Sequence, residues 1–186
     1  HVKNDVMKFL SDTWYQPNHY VNTKGRTDFV IHLDKTGKSD VGVLFETKKP
    51  SNKGEMISKE NLNAKALQEL LLYYLRKRHQ QGSKNIKYLV VSNVYEWFIF
   101  DATQFYSLFY KNKNLIRAFE EFEAKHLEGT DTSYFYKEIA SKYVDEVKEK
   151  LEYTWFDLRE FEKELKKGHD SRRLIALFKI LSPVHL

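Results

Sequence analysis

The sequence predicts an α/β (α+β) fold in which helices flank a small mixed central sheet. Hydrophobic residues make up 41% of the 186 residues and aromatic residues 15%, which is enough to bury a sizeable core. Short apolar runs with the length of strands lie between residues 28 and 48 and between residues 88 and 101. Apolar residues at helical spacing fill much of the remaining chain.

The first half of the chain is predicted to contain a hairpin followed by a long helix. Its elements, in chain order, are a helix at 2–10, a loop at 13–27, strands at 28–33 and 41–48, a polar and mobile segment at 51–60 and a helix at 61–78. Pro50 ends the hairpin because proline cannot donate to a strand ladder. Gly82 is expected to stop the long helix.

The long helix is expected to be amphipathic. Its apolar positions fall on one face at a spacing of 3.6 residues, namely Ala64, Leu67, Leu71, Tyr74 and Leu75. Lys65, Glu69 and Arg76 lie on the polar side of the helix. Gln68 lies at the edge of the apolar stripe, where it can reach either the core or a neighbouring polar site.

The second half of the chain is predicted to begin with two strands and to continue as helices. The strand at 88–92 follows the long helix and runs parallel to the strand at 41–48. A turn at Asn93 then leads into a strand at 96–101. Beyond residue 113 only helices are predicted, at 114–127, 133–151, 155–167 and 171–181.

The chain is therefore expected to comprise two parts, a core at 1–112 and a helical extension at 113–186. It begins at His1 rather than at methionine, and it ends abruptly at Leu186. We expect a fragment of a longer protein, in which the helical extension connects the core to a downstream domain.

The positive charge of the chain is concentrated in its first half. The net charge of the whole chain is +5. Residues 1–100 carry 16 lysine and arginine residues against 10 acidic residues, whereas residues 101–186 carry 15 against 16. A basic half attracts a phosphate-rich partner over a long range. An excess of this size also occurs in ordinary soluble proteins, so it is compatible with nucleic-acid binding without requiring it.

The chain contains no cysteine. Disulfides, cysteine nucleophiles and thiolate zinc sites are therefore excluded, and a cytoplasmic location is expected. No apolar run approaches the ~20 residues of a membrane-spanning helix, and no signal peptide is visible at the start. The seven histidines show no metal-ligand spacing.

Two carboxylates and a lysine lie on the strands of the predicted hairpin. Asp28 starts the first strand, and Glu46 and Lys48 lie on the second. Because side chains two positions apart share a face of a strand, Glu46 and Lys48 point to the same side, and the hairpin brings Asp28 close to them. The side chain of Thr47 points away, but its carbonyl oxygen can face the same site. These oxygen atoms suit Mg²⁺ or Mn²⁺.

A hard cation at this position favours phosphodiester hydrolysis. The metal can polarise a phosphate and acidify a bound water molecule. Lys48 can stabilise developing negative charge as a cation, or it can accept the proton of the water if its pKa is depressed. The same residue pattern also occurs as a cross-strand salt bridge in proteins without a metal site. Both interpretations stay open from these residues alone.

Other polar residues are candidates for contacts with the metal or with phosphate. Gln68 can reach the site from the edge of its helix, or it can be an ordinary boundary residue of an amphipathic helix. Lys24, Arg26 and Lys49 can contact the phosphates of DNA, or they can be solvated surface charges.

These residues together resemble the PD-(D/E)XK nuclease superfamily. The resemblance is carried by Asp28, by Phe45-Glu46-Thr47-Lys48-Lys49-Pro50 and by Ala66-Leu67-Gln68-Glu69-Leu70-Leu71-Leu72-Tyr73-Tyr74-Leu75. More narrowly, the chain resembles the N-terminal cleavage domain of type IIG/IIS restriction–modification enzymes, which combine nuclease, methyltransferase and target recognition. Gln68 resembles the glutamine of the accessory Gln-x-x-x-Tyr motif, although Leu72 lies where the tyrosine would be and Glu69 and Tyr73 keep that spacing instead.

The resemblance implies an Mg²⁺-dependent DNA endonuclease with a restriction-endonuclease-like fold. Asp28, Glu46 and the Thr47 carbonyl would hold the metal, and Lys48 and Gln68 would complete the catalytic set. The substrate would be double-stranded DNA, cut to 5′-phosphate and 3′-hydroxyl ends. One site cuts one strand, so a double-strand break would need a second copy of the chain, as in a transient dimer, or a second pass. No Gly-rich cofactor loop and no Asn-Pro-Pro-Tyr type motif is present, so the chain is not expected to bind S-adenosylmethionine.

Three alternatives stay open at this level. The first is the nuclease domain of a RecB-like or type I restriction motor protein, fused to a helicase rather than to a methyltransferase. The second is a catalytically inactive DNA-binding or assembly module, against which the intact set of Asp28, Glu46 and Lys48 argues. The third is a structural domain in which the motif is a salt bridge, a case that the distance between the carboxylates would decide.

Overall fold

The computed structural model describes residues 2–22, 29–127, 129, 131–162 and 172. At its centre lies one six-stranded sheet whose strands neighbour each other in chain order. The strands are β1 (Val21–Asn22), β2 (Phe29–His32), β3 (Val41–Thr47), β4 (Tyr88–Ser92), β5 (Glu96–Asp101) and β6 (Thr154–Asp157). β3 and β4 are parallel, and the other neighbouring strands are antiparallel. The prediction of a mixed sheet flanked by helices is therefore confirmed.

Helices surround this sheet. The α-helices are α1 (Val2–Leu10), α2 (Lys65–Leu75), α3 (Ala102–Phe105), α4 (Lys113–Leu127), α5 (Thr132–Tyr134) and α6 (Ser141–Val147). π-Helical turns extend α1, α2, α3 and α5, at Ser11–Tyr15, Arg76–Gln80, Tyr106–Tyr110 and Phe135–Ala140. Short 3₁₀ segments lie at Lys148–Lys150 and Leu158–Phe161. Within the described ranges, no helix combines the length and the apolar character that crossing a membrane requires.

α2 forms the crossover between the two parallel strands, as the sequence predicts. Gly82 follows the helical segment with a φ of +67°, the left-handed conformation that glycine adopts without a steric penalty. The turn between β4 and β5 lies at Asn93, also as predicted. Its side-chain oxygen accepts hydrogen bonds from the backbone N–H groups of Tyr95 (3.2 Å) and Glu96 (2.7 Å).

Apolar side chains cover both faces of the sheet. Along β3, Leu44 packs on the face that carries α2, whereas Val43 and Phe45 pack on the opposite face with residues of α1. Because successive side chains of a strand point to opposite faces, a strand whose first six residues are all buried needs cover on both sides. The cluster around α2 includes residues on both sides of the predicted boundary at residue 112, from Val30 to Leu151.

α2 is buried on nearly all sides rather than along one stripe. Nine of its 11 residues are buried, because the π-helical turn Phe135–Ala140 packs on α2. The polar side chains of Lys65, Glu69 and Arg76 are held in ion pairs. Pairing of this kind compensates for the cost of removing charged groups from water. The predicted apolar face is therefore confirmed, but α2 is covered over much of its polar side as well.

The C-terminal part is not all-helical. The sequence pattern predicts a helix at 155–167, but Thr154–Asp157 forms β6 and pairs with β5. Trp155 and Phe156 are residue types that favour strands, and the ring of Phe156 stacks on Trp97 with centroids 6.0 Å apart. Cross-strand pairing thus outweighs the helical spacing. The helix predicted at 171–181 lies outside the described residues, apart from residue 172.

The predicted loop at 13–27 contains regular structure. α1 continues into the π-helical turn Ser11–Tyr15, and Val21–Asn22 forms the edge strand β1. Residues 23–28 lie outside the described part of the chain. The loop prediction is therefore wrong for part of its length, because the helical segment continues to Tyr15 and Val21–Asn22 pairs with β2.

The segment predicted to be mobile, 51–60, is packed against the core. Met56 and Ile57 are buried. The carbonyl oxygen of Glu55 accepts a hydrogen bond from the N–H of Ala66 at 2.9 Å, which ties the segment to the start of α2. The segment contains two apolar residues that anchor it to the core, and its mobility stays a prediction.

Candidate functional site

The candidate site lies at the carboxyl end of β3, beside the parallel strand β4. Glu46 is the penultimate residue of β3, and Lys48 follows the strand directly. The backbone N–H of Lys48 donates to the carbonyl oxygen of Ser92 at 2.9 Å, which fixes it against β4. Both side chains lie on the face that carries α2, as the alternation of a strand requires. They are 4% and 9% exposed, respectively.

Three carboxylates surround the ammonium group of Lys48. It lies 2.9 Å from Oε1 of Glu46 and 3.6 Å from Oε2 of Glu55, and it donates a hydrogen bond to Oε2 of Glu69. The side chain of Glu69 is 13% exposed. The carboxylates come from β3, from the segment after β3 and from α2. Three separate pieces of the chain therefore meet at one cation.

Lys65 supplies a second cation at the rim of this cluster. Its Nζ donates to Oε1 of Glu55 at 2.7 Å and lies 3.9 Å from Oε1 of Glu69. Asn52 donates to the other oxygen of Glu55 at 2.9 Å. The hydrogen bond from Lys65 lowers the pKa of Glu55. The cluster thus contains three carboxylates and two ammonium groups, which leaves it one negative charge in excess.

The surroundings of Lys48 act on its pKa in opposite directions. Burial of the ammonium group lowers the pKa, whereas the charge of Glu46 and the hydrogen bonds with Glu69 and Glu46 raise it, and the net change is upward. Lys48 therefore stays a cation at neutral pH. This arrangement favours a role for Lys48 as a fixed cation, and its role as a proton acceptor beside a bound metal stays a prediction.

Gln68 faces a different group of residues. Its Nε2 donates to Oδ1 of Asn63 at 2.9 Å, and Asn63 donates in turn to the carbonyl oxygen of Ser141 at 2.8 Å. These hydrogen bonds join the start of α2 to α6. Of the neighbouring candidates Gln68 and Glu69 on α2, Glu69 contacts Lys48. A catalytic role for Gln68 stays a prediction.

A tyrosine that sequence reasoning did not select lies close to the same carboxylates. Tyr136 is buried and belongs to the π-helical turn that packs on α2. Burial raises the pKa of Tyr136, and the negative charges of Glu69 and Glu46 raise it further, against a lowering by its hydrogen bond with Thr132. No motif or spacing marks Tyr136 in the sequence, because tertiary packing of a segment predicted as a connector brings it here.

Three of the predicted site residues lie outside the described part of the chain, namely Lys24, Arg26 and Asp28. Directly after Asp28 in the sequence, Phe29 of β2 pairs with Phe45 of β3. Their rings stack with centroids 4.2 Å apart. In the sequence, these two residues are the neighbours of Asp28 and Glu46. Thr47 is the last residue of β3, and Lys49 is exposed next to the site.

The donor atoms of the cluster are carboxylate oxygens, which is the type of ligand that a hard divalent cation prefers. Glu46 and Glu69 already converge on one cationic group, and the excess negative charge favours a further cation. Their number falls short, because the described residues contain no group of three or more His, Cys, Asp or Glu side chains that could hold a metal ion. The metal site predicted from the sequence includes Asp28, which lies outside that part of the chain, so this site stays a prediction.

Comparison with known proteins gives a family and no characterised relative. No curated protein and no solved structure matches the chain. The profile of one family, described as "Domain of unknown function (DUF7149)", matches residues 1–186. Since this match covers the whole chain, the protein belongs to the DUF7149 family.

Proposed function

We propose that this chain is the nuclease part of an Mg²⁺-dependent DNA endonuclease of the type IIG/IIS restriction–modification class. The observation that carries the proposal is the buried ammonium group of Lys48, which lies against Glu46 at the carboxyl end of a parallel strand. In open α/β sheets, ligands bind at this end of the strands. Buried charges of this kind cluster at functional sites, although structural ion pairs share the property.

Each residue has a defined part in the proposed hydrolysis. Asp28 and Glu46 would hold the cation, with the carbonyl oxygen of Thr47 as a further ligand. A bound Mg²⁺ or Mn²⁺ would polarise the phosphate and lower the pKa of a water molecule. Lys48 would present a fixed positive charge to the phosphate oxygens as negative charge develops on them. Attack by water breaks the bond from phosphorus to the 3′ oxygen and leaves 5′-phosphate and 3′-hydroxyl ends.

Glu69 is assigned a positioning role in this proposal. Its carboxylate accepts a hydrogen bond from Lys48 and so fixes the ammonium group relative to Glu46. Because these carboxylates keep Lys48 protonated, its contribution is electrostatic rather than that of a base. Gln68 would act one step further away, through Asn63 and the start of α2.

Double-stranded DNA is the proposed substrate. The positive charge of residues 1–100 supports an anionic partner, and Lys24, Arg26 and Lys49 are the proposed phosphate contacts. One site cuts one strand, so a transient dimer is proposed for cleavage of both strands. Methyltransferase and target-recognition domains would lie downstream in the full-length protein, and the enzyme would act in the cytoplasm.

One observation favours a second candidate, a catalytically inactive DNA-binding or assembly module. Lys48 is engaged by Glu46, Glu55 and Glu69 at once. In this case the cluster is a buried ion-pair network that holds α2 against β3. Activity measurements distinguish the two candidates.

Plasmid nicking by the purified chain tests the proposal. The assay compares Mg²⁺, Mn²⁺ and EDTA for the wild type, Lys48→Arg and Glu46→Gln. Lys48→Arg keeps the positive charge that the buried carboxylates require but changes the shape of the cation. Circular dichroism shows whether each variant is folded. A loss of nicking in a folded variant then reflects a loss of catalysis rather than of structure. Lys65→Ala, at the exposed rim of the same cluster, is the matched control.

The proposal expects metal-dependent nicking that falls about 100-fold or more in both site variants and persists in Lys65→Ala. Equal nicking by the wild type and the site variants would indicate a contaminant or a different site. If neither the chain nor the full-length protein nicks DNA with either metal, the inactive module becomes the better interpretation.

A further inference from the structure

A cavity of about 350 Å³ opens beside the candidate site. Pro50, which lines it, follows Lys48 by two residues, and Asn93, on another side, follows Ser92. Ser92 is the residue whose carbonyl oxygen accepts the N–H of Lys48.

Glu46 pairs with Val91 and Val91 with Phe98. Glu96, which also lines the cavity, thus lies two strands across and two residues along, on the order of 12 Å from Glu46. A nucleotide next to the cleaved phosphate can therefore reach the cavity.

The apolar part of the lining suits the flat face of a nucleobase. Met56 and Ile57 line the cavity and are buried in the core. Tyr95, from the turn between β4 and β5, also lines it and is 40% exposed. The guanidinium carbon of Arg159 lies 5.1 Å from the centroid of the Tyr95 ring, so a base would stack on the opposite face of the ring. Exposed aromatic rings beside apolar residues are the surfaces on which proteins stack unpaired bases.

Glu96 adds a carboxylate with spare acceptor capacity. Among the described residues, its oxygens receive hydrogen bonds from Nδ2 of Asn93 at 3.3 Å and from Nε1 of Trp155 at 3.4 Å. Both distances exceed the usual range for N–H···O bonds. A carboxylate offers about four acceptor positions, so Glu96 can accept further hydrogen bonds from the edge of a base.

Two cations line the same cavity and differ in how they are engaged. Arg159 donates to Asp157 through hydrogen bonds of 2.9, 3.1 and 2.5 Å, so its charge is largely satisfied within the protein. Lys53 is exposed, and its ammonium group forms no ion pair within the described ranges. Lys53 is thus available to contact a phosphate.

We propose that this cavity binds an unstacked nucleotide next to the cleaved phosphate and prefers guanine, an inference that rests on the proposed function. Tyr95 stacks on the base, Glu96 accepts its hydrogen bonds and Lys53 contacts the phosphate. Guanine presents two adjacent donors to a carboxylate, its ring N1–H and its exocyclic amino group. Thymine presents one N–H between two carbonyl oxygens that a carboxylate repels. The nucleotide must be unpaired or extruded, because a stacked base cannot enter a cavity.

Fluorescence anisotropy with labelled oligodeoxynucleotides tests this inference. The probes are thymidine oligomers of about 12 nucleotides, a length within the site sizes of single-strand binding proteins, with thymidine or a single guanosine at the centre. Titrations in EDTA prevent cleavage. The proteins are the wild type, Glu96→Gln, Tyr95→Ala and Glu149→Gln, which removes the same charge from an exposed position outside the cavity.

The wild type and Glu149→Gln are expected to bind the guanosine probe roughly tenfold more tightly than the all-thymidine probe. Glu96→Gln should reduce this ratio to about twofold or less, because an amide donates as well as accepts. Tyr95→Ala should weaken the binding of both probes about tenfold. Equal affinity of the wild type for the two probes, an unchanged ratio in Glu96→Gln, or no binding of either probe overturns the inference.

Plasmid nicking by the same preparations separates the two proposals. If the protein nicks DNA but binds both probes equally, the proposal for the cavity fails and the proposed nuclease function stands. A guanine preference that depends on Glu96, without nicking by either this chain or the full-length protein, would remove the catalytic proposal and leave a nucleotide-binding cavity.

Discussion

Lys48 and Glu69 form a largely buried ion pair, with side chains 9% and 13% exposed, that joins the end of β3 to the middle of α2. Glu46 contacts the same ammonium group at 2.9 Å. An intact buried pair of this kind adds little net stability, because the desolvation of both charges offsets their attraction. Removal of one partner is different, since it leaves an uncompensated charge in the interior. The pair therefore couples the stability of the core to the site proposed to be catalytic.

The first prediction concerns this coupling. Lys48→Ala should lower the free energy of unfolding by about 3–5 kcal/mol, because it leaves Glu46 and Glu69 buried without their cation. Lys65→Ala, whose side chain is 43% exposed, should cost about 0–1 kcal/mol. Urea unfolding followed by circular dichroism measures both values. Similar small losses in the two variants would show that water reaches the carboxylates around Lys48.

A second prediction separates the two neighbouring candidates on α2. Glu69→Gln should lower metal-dependent nicking about tenfold or more, because a neutral amide holds the ammonium group of Lys48 less firmly. Gln68→Ala breaks the hydrogen bond to Asn63, outside the Lys48 cluster, and should leave most of the nicking. Unfolding midpoints recorded for both variants exclude a loss of folding. A larger effect of Gln68→Ala would return the catalytic role to Gln68.

The features that the sequence predicts correctly depend on residues close together in the chain. The order of β3, α2 and β4, the stop at Gly82 and the turn at Asn93 all follow from local spacing and turn chemistry. The predicted helix at 155–167 fails because the strand Thr154–Asp157 exists only through its pairing with β5. A local pattern contains no information about such a partner.

In the candidate site, too, the sequence predicts the residues that are close together in the chain and not those brought in by distant contacts. The sequence identifies Glu46 and Lys48, which lie two residues apart on one strand. It leaves the choice between Gln68 and Glu69 open, because the contact of Glu69 with Lys48 spans 21 residues. The sequence does not identify Glu55 or Tyr136 as part of the site. Glu55 lies in a segment predicted to be mobile, and Tyr136 lies in the helical extension predicted to be a connector. Their roles depend on packing against α2.

A third prediction tests the helix stop. Gly82 has a φ of +67°, so Gly82→Ala places a Cβ in the left-handed region and should lower the free energy of unfolding by about 1 kcal/mol. Gly54→Ala is the matched control, because its φ is not positive and a Cβ there meets no atom within 4 Å. It should change stability by about 0.5 kcal/mol or less. Equal effects of both substitutions would remove the conformational explanation.

The fourth prediction concerns acid pH. The hydrogen bonds from Arg159 lower the pKa of Asp157 in the folded protein. A folded-state pKa below the unfolded one contributes stability above the ordinary aspartate pKa of about 3.9, and this stability is lost as the pH falls through the folded pKa. Asp157→Asn and Arg159→Ala should therefore each flatten the decline of unfolding free energy below about pH 4. Urea unfolding at a series of pH values checks this, and an unchanged slope in both variants would contradict it.

The last prediction concerns strain in the turn that borders the cavity. Val94 has a φ of +81°, a conformation that is costly for a β-branched residue. Asparagine tolerates this region, so Val94→Asn should raise the free energy of unfolding by up to about 1 kcal/mol despite the loss of apolar contact. Val147 is also a partly buried valine, but its φ is −125°, and Val147→Asn should destabilise by about 1 kcal/mol. If both substitutions destabilise equally, the turn stores no strain. If Val94→Asn stabilises the fold but weakens binding of the guanosine probe, the strain serves to present Tyr95 and Glu96 to the ligand.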